Sequence, residues 1–160
     1  MVQVISQQVL RELSEQAKVS PRLRKNLNFH ASNEAQCHRL LNALELGTYV
    51  QPHRHLAPEK EESLVVVAGC VGLLIFDAQG VVVQKIRLAP ASANIGVTIP
   101  TGVFHSMVAL QTGSVFFEAK AGPYVAISEA EKASWAPVET DSASAAYLEF
   151  MLKIFESSLD

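Results

Sequence analysis

The stretch Gly47-Thr-Tyr-Val-Gln-Pro-His53-Arg-His55, continued through a polar loop to Glu62-Ser-Leu-Val-Val-Val-Ala-Gly69, decides the fold. Histidines two apart on an extended strand project to one face, because side chains alternate with a period of two. The loop Leu56 to Glu61 lets the chain double back, and Glu62 then opens an apolar run. A second segment, Pro100-Thr-Gly102-Val-Phe-His105, reads as a turn that delivers another histidine onto the start of a further strand. Imidazole nitrogen and carboxylate oxygen are the donors that borderline divalent metals prefer. His53, His55, Glu62 and His105 can therefore form one cluster inside a barrel, leaving positions open to water or substrate. Each histidine alone is more often an ordinary polar residue than a ligand, and an isolated His-x-His is weak evidence. The ordered combination, bracketed by Gly47 and Gly69, carries the expectation. Glu59 and Glu61 also lie near the pair, but Glu62 keeps the six-residue distance to Gly69 and with it the register of the strand.

Outward from this stretch, the chain reads as short strands. Candidates are Cys37–Leu44, Thr48–Gln51, Ser63–Ala68, Val71–Phe76, Val81–Ile86, Ile95–Ile99, His105–Leu110 and Val115–Lys120. They are rich in Val, Ile, Leu and Phe and are punctuated by turn residues at Gly47, Gly69, Gly80, Pro90, Gly102 and Gly113. Many short strands with close turns imply a sandwich or barrel and not a parallel α/β sheet.

Both ends read as helical. Ser6 is placed to cap a helix whose apolar stripe is Val9, Leu10, Leu13 and Ala17, with Ile5 and Leu10 as a staple. Ser20-Pro21 suggests a further short helical turn. Near the other end, Asp141 or Ser142 can cap a helix with an apolar face of Tyr147, Phe150, Met151, Ile154 and Phe155. That face either docks on the barrel wall or forms a dimer contact. The expected organisation is a single domain over 1–160. It divides into an N-terminal helical segment at 1–27, a barrel core at 28–122, and a linker with the final helix at 123–160.

Composition sets the outer limits. A chain of 160 residues can bury a core without disulfides. Its 49% hydrophobic and 18% charged residues exclude a disordered polymer. The net charge of −3 argues against nucleic acid or an anionic membrane as the main partner. No signal-peptide pattern opens the chain, and Cys37 and Cys70 fall in no recognisable spacing, so they read as reduced, buried thiols of a soluble cytoplasmic protein.

The two histidine-bearing segments resemble the paired motifs of the cupin superfamily. That resemblance implies a mainly β fold, a double-stranded β-helix or jelly-roll barrel, with one divalent metal ion per chain held by His53, His55, Glu62 and His105. Common cupins place the acid closer to the second histidine than Glu62 is, and Ala109 replaces the usual terminal asparagine of the second motif, a position that is structural in the superfamily. More narrowly, Arg24-Lys-Asn-Leu-Asn-Phe-His30, Arg39-Leu-Leu-Asn-Ala-Leu44 and Gly47 to His55 resemble the WbuC-type cupin fold metalloproteins. The wider gap before Glu62 is a habit of that group. The resemblance covers most of Leu23 to Gly122 and implies a homodimeric bacterial protein, sometimes linked to surface-polysaccharide gene clusters.

Strand alternation extends the site. Tyr49 and Gln51 share the face of His53, Met107 and Ala109 that of His105, and Leu64 and Val66 that of Glu62. Tyr49 is the candidate to orient the imidazoles, since a buried hydroxyl needs a partner. Asn28 and His30 are candidates to cover the mouth and touch a small-molecule ligand. Arg39, set among apolar residues, is a candidate to pair with a carboxylate or bind an anionic group, with His38 facing the opposite way, to the surface or a dimer contact. Zinc, iron, nickel and manganese all fit the donor set. The functional expectation is a metal-dependent enzyme on a small polar metabolite, isomerase- or epimerase-like, or a non-haem iron dioxygenase. The alternative is a non-catalytic binding or sensor module anchored by the metal. A purely structural metal fares worst, because structural zinc sites are usually closed and cysteine-rich.

Overall fold

A computed structural model describes residues 2–156. Helix α1 (Gln7–Lys18) is followed by eight strands: β1 (Arg24–Asn28), β2 (Cys37–Leu44), β3 (Glu62–Ala68), β4 (Val71–Phe76), β5 (Val82–Leu88), β6 (Gly96–Ile99), β7 (Phe104–Ala109) and β8 (Ser114–Ala121). Helix α2 (Ser144–Glu156) ends the described chain. The strands pair antiparallel in two sheets, β1-β2-β8-β3-β6 and β5-β4-β7, which face each other as a jelly roll. No described helix is long and apolar enough to cross a membrane.

The alternation of each strand sorts its side chains into an interior and two outer layers. Leu64, Val66, Leu73, Met107 and Phe116 meet between the sheets as the barrel core. Outside the larger sheet, Leu41, Ala43 and Val115 receive Leu10, Leu13 and Ala17 of α1. Ser6 accepts a hydrogen bond from the Val9 amide at 3.3 Å and so caps α1. Outside the smaller sheet, Leu74, Phe76 and Val108 receive Leu148, Met151 and Phe155 of α2. Strand β4 is therefore covered on both faces, which is why it reads as a continuous apolar run. Gly72 lets the helix approach: a Cβ there would sit 2.6 Å from the Phe155 ring. Asp141 begins the turn into α2 by accepting from the Ala143 amide at 2.8 Å. The C-terminal helix thus docks on the barrel wall, while Phe150 stays 45% exposed.

Four expectations are corrected. Thr48–Gln51 is not a strand. Its carbonyls are taken by side chains: Arg24 donates to Tyr49 O at 3.0 Å, Ser106 to Val50 O at 2.6 Å, and the His53 ring lies 2.9 Å from Gln51 O. With those acceptors occupied, no ladder can form. Conversely, the polar Arg24–Asn28 is an edge strand on β2, so the sheet begins before residue 28. Ser20-Pro21 opens a turn, closed by Leu23 N donating to Ser20 O at 2.9 Å, with Leu23 at φ +52°. Finally, Cys37 is exposed and Cys70 half-buried, and both thiols are free.

Candidate metal centre

His105 stands on β7 with its ring turned into the barrel and 1% exposed. The chain segment carrying His53 is pinned to it without being a strand. The His53 amide donates to His105 O at 3.0 Å, and the His105 amide donates back to His53 O at 2.8 Å. Gly102, at φ +82°, turns the chain so that its amide donates to His55 O at 2.7 Å. Glu62 is the first residue of β3 and shares its inner face with Leu64 and Val66. These supports bring one donor atom from each of His53, His55, Glu62 and His105 within 4.8 Å of one another.

The rings are oriented by the backbone. His53 Nδ1 lies 2.9 Å from Gln51 O, and His105 Nδ1 lies 2.9 Å from Val103 O, so each Nδ1 carries the proton and each Nε2 presents a lone pair. The Nε2 atoms of His55 and His105 are buried and have no aligned hydrogen-bond partner, although Glu62 Oε1 is 2.8 Å from His105 Nε2. Leaving such groups unsatisfied costs about 1–3 kcal/mol each. A divalent cation satisfies both, and the donor set of three imidazoles and one carboxylate is one such ions accept.

Charge in the site is ready for a cation. Burial, reinforced by the neighbouring His105, pushes the His53 pKa down to about 4, so the ring is neutral near pH 7. Burial pushes the Glu62 carboxyl up, but His105, His55 and the Lys120 ammonium more than offset it and hold it below the ordinary carboxylate range. Lys120 Nζ lies 3.6 Å from Glu62 Oε2 and 2.5 Å from Glu118 Oε1. Burial alone would lower the Lys120 pKa; the two carboxylates outweigh it and raise it.

A cavity of about 270 Å³ opens beside the cluster, walled by His53, Glu62, Met107, Lys120, Glu118 and Asn42 among others. A second, of about 340 Å³, adjoins it and is bounded by Asn28, His30 and His38. Both share Asn26, Asn42, Glu118 and Lys120. Asn28 and His30 thus line the second cavity and not the one that His53 and Glu62 wall. Tyr49 does not orient the imidazoles: its hydroxyl donates to Pro137 O at 2.7 Å, in the layer under α2. Arg39 is exposed on the outer face of β2, and the inward residue is His38, 4% exposed and stacked on His30 at 4.0 Å. The phase of β2 is set by Leu41 and Ala43, which α1 claims from outside. Lys120 and Glu118 were missed. Their signal was a pair of opposite charges two apart in an otherwise apolar strand, Val115-Phe-Phe-Glu118-Ala-Lys120.

Sequence reasoning also missed the linker after β8. Arg54 N donates to Glu131 O at 2.9 Å, Ala133 N to Pro52 O at 3.0 Å, and Leu56 N to the Glu131 carboxylate at 3.0 Å. The histidine pair is thus clamped between β7 and residues 131–133.

Comparison with known proteins agrees with this architecture. Among solved structures, KdgF from Halomonas sp. superposes with a TM-score of 0.51 at 19% identity, covering 67% of this chain and 85% of that one. A cupin superfamily protein from Desulfitobacterium hafniense DCB-2 gives 0.50 at 13% identity over 68% and 86%. Salicylate 1,2-dioxygenase from Pseudoaminobacter salicylatoxidans gives 0.54 at 11% identity, over 74% of this chain and 33% of that one. These likenesses establish the cupin fold and no activity. No curated protein matches by sequence. Residues 5–88, more than half of the chain, match a family model described as a domain of unknown function, and the chain belongs to that family, DUF6016, with the jelly-roll fold of the cupins.

Proposed function

We propose that the protein is a metal-dependent cupin that binds or transforms a small polar metabolite at a divalent ion held by His53, His55, Glu62 and His105. The observation that carries this reading is the pair of buried, unpartnered Nε2 atoms converging with Glu62 beside a polar cavity. When bound, the ion supplies Lewis-acid polarisation of a ligand carbonyl or hydroxyl. The chain's own part is to present a neutral His53 imidazole, to hold Glu62 ionised, and to exclude water on one side with Met107 and Phe116. Zinc, iron, nickel and manganese all suit these donors.

A non-catalytic binding or sensor role is the second reading. It is favoured by Lys120, which two carboxylates keep cationic and so unsuited to act as a base near neutral pH. The resemblance to WbuC-type proteins adds a homodimer in the bacterial cytoplasm to the proposal, with the exposed Phe150 available at a subunit contact.

The test is a thermal-shift screen of sugars and small organic acids on metal-loaded and chelated protein, followed by turnover assays of every hit. Stabilisation that depends on the metal supports the reading. Turnover selects the enzyme, and binding without turnover selects the module. A screen in which no ligand distinguishes loaded from chelated protein contradicts both.

A further inference from the structure

Glu118 is held in the wall shared by the two cavities. It is 7% exposed and faces inward from β8, between Leu64 of β3 and Leu40 of β2 in register. Its Oε2 accepts from the Asn42 amide at 2.7 Å. Its Oε1 is ion-paired with Lys120 Nζ at 2.5 Å, at the junction of the cavities. A buried carboxylate held by Asn42 on one oxygen and by Lys120 on the other, and lining both cavities, keeps lone pairs free to receive a ligand hydroxyl, and hydrogen bonds to a charged acceptor are the stronger kind. Around it the walls are neutral amides, Asn26, Asn42, Asn28 and Asn33, each able to donate and accept. With a divalent ion in place, the ion and Lys120 outweigh Glu62 and Glu118, so the inner end is net positive. Arg22, Arg24 and Lys25 at the first cavity's edge add to that sign.

We propose that Glu118 is the specificity-determining acceptor for a polyhydroxylated carboxylic acid, whose carboxylate lies toward the metal and Lys120 and whose hydroxyls run into the asparagine-walled chamber. This deepens the metal-centre reading and rests on it for the carboxylate end. The hydroxyl end rests on Glu118 and the asparagine walls and not on the metal.

The test is isothermal titration of the full chain, of measured metal content, with gluconate and with hexanoate, which has the same carbon chain and no hydroxyls. Gluconate binds the wild type more tightly than hexanoate does. Glu118→Gln weakens gluconate at least about tenfold and leaves hexanoate unchanged. Asn26→Ala, at an exposed strand position, weakens gluconate about fivefold. Equal binding of the two acids, no binding of gluconate to metal-loaded protein, or unchanged gluconate affinity in both variants overturns the proposal. If Glu118→Gln fails to fold, Asn26→Ala decides. A wild type that takes up no divalent metal sinks the metal reading by itself, and the hydroxyl contact is then judged by the same titrations on metal-free protein.

Discussion

His53 and His105 hold each other through the backbone, exchanging two hydrogen bonds at 3.0 and 2.8 Å across a bridge that belongs to no regular strand pair. The exchange fixes one ligand-bearing segment against the rigid β7 without using either imidazole. Removing a ring therefore removes a candidate ligand and keeps this backbone exchange, which makes side-chain substitutions here suitable probes of metal binding.

The neutral state of His53 makes the metal-free protein acid-sensitive. Its folded pKa is depressed to about 4 from an ordinary 6.5, so between those values the unfolded chain binds more protons and stability falls as pH falls. Glu62, also depressed, acts in the same direction and only below the ordinary carboxylate range. Chemical denaturation in chelator is expected to show a loss of about 2 kcal/mol between pH 7 and pH 5, reduced in His53→Gln. Equal stability at the two pH values would argue against a buried, neutral His53.

The linker clamp gives a second expectation. Glu131 accepts from Leu56 N at 3.0 Å and from Ser128 N at 2.9 Å, bonds that hold its carboxyl down to about 2 and tie the loop after His55 to residues 128–133. Glu131→Ala should leave the fold intact and weaken metal affinity about fivefold in a chelator-competition titration, through looser positioning of His55. Unchanged affinity would show that the clamp does not matter to the centre.

Docking of α2 on the barrel is testable through Met151, which is 0% exposed among Leu74, Phe76 and Val108. Met151→Ala should cost about 3 kcal/mol in denaturant unfolding. Gly72→Ala, which sets a Cβ against the Phe155 ring, should cost about 1–3 kcal/mol. A near-neutral result for both would mean that the helix contributes little to the fold in solution.

The legible parts of this protein were those where burial and chemistry impose a pattern. Leu64 and Val66 alternate because one face of β3 is core, and the histidine spacing around them survives as the cluster. What was hidden follows from competition for backbone groups and from neighbours remote in sequence. Thr48 to Gln51 looked like a strand, but Arg24, Ser106 and His53 take the carbonyls of Tyr49, Val50 and Gln51. Arg24–Asn28 did not look like one, because an edge strand facing a polar cavity has no apolar alternation to show. The inward turn of His38 depended on where α1 packs, which the sequence of β2 does not contain. Thus the four clustered residues could be named from spacing, while the wall beside them could not.

The central claim is that His53, His55, Glu62 and His105 hold one divalent ion. Metal content by mass spectrometry, measured on protein purified anaerobically without chelator, tests it most directly. About one ion per chain is expected for the wild type, and well under a tenth of that for His105→Ala and Glu62→Gln, with both variants still unfolding cooperatively. A metal-free wild type, or variants that keep full stoichiometry, would contradict the account.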